Sequence, residues 1–228
     1  ADTEADFERA LDFLAEHIDP DAEVGLGWDL ATTEEETSNP SSITVAERHG
    51  TAMVLRLIVA WKTGDPELAM ARATRLVKAV EARRGTGTRR ARKLCVDATN
   101  ERYFARAVRK ALRALVPVEL VVGSEAAPVT GEEKLNTKQW SCGIFIDLLE
   151  RNLLTAPPEP YVKEDWRLVK KAKGQFVCSP DSQGRHGDTF ESSRLSVLAL
   201  TGSSGPVEYQ PVPVKSAPGV GRLGRSLW

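Results

Sequence analysis

The run Val24-Gly-Leu-Gly-Trp-Asp29-Leu-Ala-Thr, followed by Asn39-Pro-Ser-Ser and the apolar stretch Ile43-Thr-Val-Ala46, constrains this chain more than any other feature. It reads as a strand that carries one carboxylate to its end, a turn, and a second strand that folds back. A rigid sheet edge of this kind suits a metal-binding acid, because hard cations take oxygen ligands. Two later carboxylates hold comparable positions. Asp97 ends Leu94-Cys-Val-Asp97, and Asp188 lies in His186-Gly-Asp-Thr-Phe190, just before a helical apolar pattern.

A chain of 228 residues can bury a substantial core, and its length fits one large domain with tails. Cys95, Cys142 and Cys178 are odd in number and widely spaced, which signals neither a disulfide framework nor a zinc finger, so a reducing compartment is expected. No apolar stretch approaches the ~20 residues that span a bilayer, and the opening from Asp2 to Asp12 is acidic where a signal peptide is basic. A soluble protein without membrane contact is the expectation. The net charge of −1 hides a segregation of sign. Up to Glu47 the only Lys or Arg is Arg9, whereas between Arg72 and Arg113 the basic residues heavily outnumber the acids. A polyanion can dock on such a basic face even when the whole molecule is near neutral; two solvated helices of ordinary charge are the alternative.

Apolar spacing predicts a lead-in helix over 3–17, stopping near Asp19-Pro20. Three strands follow at about 22–30, 42–48 and 52–61. Ile43 and Val45 alternate with polar residues while 53–60 is nearly all apolar, which predicts a half-exposed second strand and a buried third. Glu34, Glu35 and Glu36 fall in the first connection, and His49-Gly50 makes a tight turn. Asp65-Pro66 opens a helix ending at Gly85-Thr-Gly87. A strand at 92–97, a helix at 100–115 and a strand at 118–122 imply parallel neighbours joined by a right-handed crossover. Helices at 134–153 and 187–201 flank a hairpin in which 166–169 pairs with 175–178. Beyond Gly202 the sequence is rich in Gly, Pro and Ser and has no core-forming pattern.

Three antiparallel strands, then helix, strand, helix, strand, helix is the order of the ribonuclease H-like fold, an α/β mixed sheet flanked by helices. In such a sheet the first strand and the strand after the first helix are neighbours, so Asp29 and Asp97 emerge side by side. Clustered carboxylates repel one another, and one or two Mg²⁺ or Mn²⁺ ions relieve this. Two ions about 4 Å apart can activate water, neutralise a phosphate and stabilise the leaving oxygen. Each aspartate alone is compatible with a turn or a helix cap. Their coincidence at matching positions of one topology is the stronger signal.

Gly27-Trp-Asp29-Leu-Ala with Asn39-Pro-Ser-Ser, Val96-Asp97-Ala-Thr-Asn100, Lys134 before its helix, and Arg185-His-Gly-Asp188-Thr-Phe190 together resemble the nuclease domain of bacteriophage large terminase subunits, especially the Mu-like packaging proteins. The resemblance runs from about Glu23 to Leu200. It implies a metal-dependent endonuclease that cuts double-stranded DNA during headful packaging, with Asp29, Asp97 and Asp188 as metal ligands, His186 beside them, and Asp29 bridging two ions. It also implies a viral protein working in the host cytoplasm with an ATPase domain, a portal protein and a small terminase subunit.

The family's motor carries a GxxxxGK[ST] loop, which this sequence lacks, so no ATPase activity is expected of it. The implied division is 1–20 as a lead-in from an ATPase domain, 21–202 as the nuclease domain and 203–228 as a tail. Lys134 and Lys138 at a helix start, and Lys170, Lys171 and Lys173 in the hairpin, are candidate DNA contacts. With no groove-reading motif in the sequence, little base specificity is expected. Trp166 is read as core, and Glu101 as an accessory acid or a partner of Arg102 or Arg106. A Holliday-junction resolvase or integrase relative, and a non-catalytic module docking on a portal or motor, are the competing readings.

Overall fold

A computed structural model describes residues 1, 3–32, 40–82, 91–127, 135–182 and 185–201. Lys134, the glutamates 34–36, Asn39, the Gly85–Gly87 stop and the stretch after residue 201 lie outside them. In chain order the elements are α1 (Glu4–His17), β1 (Glu23–Asp29), β2 (Ser41–His49), β3 (Ala52–Trp61), α2 (Pro66–Ala82), β4 (Lys93–Asp97), α3 (Arg102–Leu112), β5 (Val118–Val121), α4 (Thr137–Glu150), β6 (Leu154–Thr155), α5 (Pro160–Trp166), β7 (Val169–Ala172), β8 (Gln175–Cys178) and α6 (Asp188–Thr201). No helix among the described residues is long and apolar enough to cross a membrane.

Six strands form one sheet in the order β5-β4-β1-β2-β3-β6. β1, β2 and β3 are antiparallel, while β4 joins β1 and β5 joins β4 in parallel. The expected mixed sheet is therefore present. The short β6, pairing in parallel with β3, and the helix α5 are additions that the sequence pattern does not mark. α5 also takes Trp166 out of the expected hairpin, which begins at Val169 and turns at Lys173-Gly174. The Trp166 ring is core, edge-on to Phe145 at 5.2 Å and to Phe190 at 6.4 Å.

Strand periodicity sends alternate side chains of β1 to opposite faces of the sheet. Val24, Leu26 and Trp28 join Ile43, Val45, Leu94 and Val96 in a core covered by α1, α2 and α3. α1 is an integral part of it. A capping box between Thr3 and Asp6 starts the helix, and Phe7 and Leu14, two turns apart, are fully buried. α4 and α6 cover the other face through Phe145, Phe190, Leu195 and Leu198.

The expected exposures of β2 and β3 are exchanged. β2 is buried continuously from Ser41 to Glu47, and β3 alternates. Thr44 lies beneath α6, where its hydroxyl meets those of Ser192 and Ser193, so polarity did not mark a solvent face. In β3 a bulge against Val45 and Ala46 moves the buried set across the sheet. Met53 and Leu55 pack toward α4 and α6, whereas Leu57, Val59 and Trp61 join the α1 side.

α6 is buried along nearly its whole length and held at both ends. Asp165 of α5 accepts hydrogen bonds from the backbone N–H groups of Gly187 (2.9 Å) and Thr189 (2.8 Å) and from the Thr189 hydroxyl. At the other end Arg48 and Arg92 both donate to the Leu200 carbonyl. Cations there also complement the helix dipole.

Candidate functional site

The site is built by an unusually close contact between β1 and α6. A Cβ added to Gly27 would lie 2.1 Å from the Ser192 carbonyl oxygen and 2.3 Å from the Ser196 nitrogen, so only glycine fits. Gly25 meets α6 one turn further along, at Ser196, Ala199 and Leu200. The helix therefore runs back along the strand. Asp29 is the next residue of β1 on the Gly25–Gly27 face, and Asp188 lies one turn before Ser192. The register of strand against helix thus brings Asp29 toward the start of α6.

β4 supplies the second acid. Trp28 pairs with Val96 in parallel register, so Asp29 and Asp97 follow side by side, on strands about 5 Å apart. Asp97 uses one oxygen to accept the Thr99 N–H at 2.8 Å, an Asx turn that fixes the chain leaving β4. On the far side of β1, Trp28 donates to Ser41 at 2.8 Å, locking the strand end that carries Asp29.

The acids lie close enough to influence one another's charge. Burial pushes the Asp29 carboxyl well above the usual range, and the charges of Glu191, Asp97 and Asp188 push the same way. Asp188 is 3% exposed. Burial first, and Asp165 second, raise its carboxyl to about 7, against backbone hydrogen bonds that pull it down. One of its oxygens, Oδ2, has no hydrogen-bond partner among the described residues. A buried carboxylate oxygen left unpaired is costly, and a hard cation would satisfy it. The donor set therefore fits a divalent metal chemically. Among the described residues, however, no three His, Cys, Asp or Glu side chains are drawn together as a finished coordination group.

Three functional-looking residues escaped the sequence pattern. Glu191, one turn after Asp188, is gripped by Arg194, whose Nη2 lies at 2.6 Å, and by Lys138 of α4 at 2.8 Å. Burial alone would raise the Glu191 carboxyl, but Arg194 and Lys138 override it and bring it down to about 2. Arg194 is itself buried and also reaches the Ser141 hydroxyl of α4. Asp188, Glu191 and Arg194 recur every third residue of an otherwise apolar and small-residue helix, and that spacing was a readable signal. Asp165 gave none, because Lys163-Glu164-Asp165 looks like an ordinary solvated run.

The remaining expected residues divide by position. His186 is half-buried and immediately precedes Gly187, whose φ of +80° and close neighbours Val169 and Cys178 set the chain's entry into α6. Lys138 is engaged in the Glu191 ion pair rather than standing free. Lys170, Lys171 and Lys173 are exposed on the hairpin. Gln139 ties this hairpin to α4, bonding the Phe176 N–H at 2.8 Å. Glu101 makes no ion pair with Arg102 or Arg106 among the described residues. It accepts from the Thr32 N–H (2.9 Å) and hydroxyl (2.6 Å), tying the segment after Asp29 to the start of α3.

No protein-family model matches the sequence, and no curated protein matches it. Solved structures do. The nuclease domain of the large terminase subunit gp2 of bacterial virus Sf6 superposes with a TM-score of 0.53 at 13% identity, covering 83% of this chain and 94% of that one. Large terminase from the thermophilic bacteriophage D6E superposes with a TM-score of 0.51 at 9% identity, over 78% of this chain. The chain spans 40% of the D6E protein's length. A second D6E structure, in complex with ATP-γ-S, gives 0.51 at 10% identity over 82% of this chain and 45% of that one. At these identities the likeness establishes the fold, an RNase H-like mixed sheet.

Proposed function

We propose that the chain is the nuclease domain of a viral DNA-packaging terminase, hydrolysing phosphodiesters of double-stranded DNA with the help of Mg²⁺ or Mn²⁺. The observation that carries this reading is the buried, unpartnered oxygen of Asp188 at the point where β1 delivers Asp29 and β4 delivers Asp97. Like charges favour rotamers that turn these carboxylates apart, and a cation would draw them onto itself. Asp29, Asp97 and Asp188 would hold the metal, two ions in the fullest form of the proposal. A metal so held activates water and stabilises the charge that develops on the phosphate.

The protein's own groups orient and neutralise. Asp165 and Gly187 fix where Asp188 points, and His186 stands beside it as a proton carrier. Arg194 and Lys138 keep Glu191 ionised at the rim of the acidic cluster. Lys170, Lys171 and Lys173 meet phosphates from the hairpin, and Lys134 is offered in the same role from outside the described residues. Contacts of this kind hold the backbone of any sequence, which is why little base specificity is proposed. The matched D6E structure with ATP-γ-S belongs to a longer terminase chain. In line with it, residues 1–20 would follow an ATPase domain, although their helix α1 packs into the core of the sheet; 21–202 would form the rest of the nuclease domain and 203–228 a tail. DNA, the ATPase domain, a portal protein and a small subunit are the proposed partners, in the host cytoplasm. The chain itself has no ATPase role.

Asp29→Asn tests the proposal. Plasmid nicking in Mn²⁺ should fall by roughly a hundredfold or more while the circular dichroism spectrum is unchanged. Unaltered nicking would overturn the assignment. The lack of a finished coordination group among the described residues favours, as a second reading, a docking module whose carboxylates are structural. Calorimetric titration with Mn²⁺ separates the two, since a docking module would show no binding that depends on Asp188.

A further inference from the structure

The basic stretch between Arg72 and Arg113 is sorted by the fold into cations that are used and cations that are not. On α2, Arg75 pairs with Glu4 and Glu8 of α1, and Arg72 pairs with Glu4. Arg92 binds Glu23, and Lys93 binds Glu119. α3 is different. Ala105, Val108 and Leu112 are buried, whereas Arg102, Arg106, Arg109, Lys110 and Arg113 are exposed and make no ion pair among the described residues.

Arg102, Arg106, Arg109 and Arg113 are spaced i, i+4, i+7 and i+11, which at 3.6 residues per turn aligns them in one stripe about 16 Å long. Lys110 and Tyr103, the latter 89% exposed, stand along one edge of it. Like charges at i, i+3 and i, i+4 weaken a helix, and α3 carries no acid to relieve them. Such a stripe serves a partner that supplies the missing negative charge continuously.

We infer that the outer face of α3 is a docking surface for the sugar–phosphate backbone of duplex DNA, separate from the Lys170–Lys173 hairpin. Two placements argue for DNA over an acidic protein. α3 starts five residues beyond Asp97, so Arg102 lies at the end of the sheet to which β1 and β4 carry Asp29 and Asp97. Glu101, just before the first turn of α3, is tied to Thr32 in the segment that leaves Asp29. A duplex held along α3 is thereby led toward the acidic cluster. A stripe of this length faces about 5 base pairs of axial rise. The choice of DNA rests on the nuclease reading, but the docking itself does not require cleavage.

The test measures binding without chemistry. Fluorescence anisotropy of a labelled duplex of mixed sequence, in EDTA, is followed from 50 to 200 mM NaCl for the wild type and for Arg102→Gln/Arg106→Gln/Arg109→Gln/Arg113→Gln. The control, Lys78→Gln/Arg151→Gln/Lys163→Gln/Arg167→Gln, removes the same charge from exposed positions elsewhere. The α3 variant should lose affinity roughly tenfold or more at 100 mM salt, and its log–log salt slope should fall by about 2 to 4. The control should keep both, and the α3 variant's Tm should match or exceed that of the wild type. Three results overturn the inference: no duplex binding by the wild type, equal loss in the control, or unchanged binding by the α3 variant, which would leave the stripe to an acidic protein surface. Binding lost in the α3 variant but kept in the control supports the inference whether or not the protein cleaves DNA.

Discussion

The two faces of β1 solve different problems with the same seven residues. Toward α1, α2 and α3 the strand presents Val24, Leu26 and Trp28, large groups whose burial holds the fold together. Toward α6 it presents Gly25 and Gly27, which add almost no apolar area and let a helix backbone come to within touching distance. The hydroxyls of Ser42, Thr44, Ser192 and Ser193 satisfy one another in that tight seam. One face provides stability, and the other provides position. Position is what the proposed metal site needs, because Asp29 and Asp188 can approach one another only if helix and strand keep this spacing.

The largest expected effect comes from adding one methyl group to the tight seam. Gly27→Ala should destabilise by about 3 kcal/mol and cut nicking by the folded fraction ~100-fold, as α6 is pushed off the strand. Leu26→Ala, on the opposite face, should cost roughly 2 to 5 kcal/mol yet leave cleavage per folded molecule nearly intact. Thermal melts paired with nicking assays distinguish them, and equal catalytic losses would erase the contrast between the faces.

Asp165→Asn should act more mildly, costing about 2 kcal/mol by weakening three hydrogen bonds to a charged acceptor. Because it holds the entry to α6 without joining the cluster, Mn²⁺ affinity should drop about tenfold in titration calorimetry. An unchanged affinity would show that α6 does not need this clamp.

The smallest effect concerns protons. In EDTA the Asp188 carboxyl, held at about 7 in the folded protein against an ordinary 3.8, keeps a proton that the unfolded chain has released. Stability should therefore fall as pH rises between those values and level off above them. Asp188→Asn should flatten that stretch of the profile and gain about 1 kcal/mol at pH 8. Glu191, held down at about 2, works in the opposite sense and loses its contribution only as pH drops below its ordinary 4.5. Urea melts across pH 2 to 8 read both.

What the sequence made legible was local. Asp29, Asp97 and Asp188 each sit at the end or start of an element whose periodicity and punctuation can be read in isolation, and the topology then aligns them. What stayed hidden depends on partners distant in sequence. Glu191 becomes notable only once Lys138 arrives from α4, and Asp165 only once it faces Gly187 and Thr189 across 22 to 24 residues. The exchange between β2 and β3 has the same origin: a serine or threonine reads as exposed until another hydroxyl lies on top of it. α5 was missed because its short amphipathic pattern follows two prolines and resembles a loop.

The clamps at the two ends of α6 make its alignment all-or-none. Advancing the helix by a single residue would swing every side chain by about 100°. Asp188 would leave its neighbours and a serine ridge would jam against Gly27. Gradual sliding is thus forbidden, and insertions or deletions between Gly187 and Leu200 would meet a barrier that those outside the clamped span would not. Lineages sharing this architecture should conserve the length of that span far more strictly than its composition.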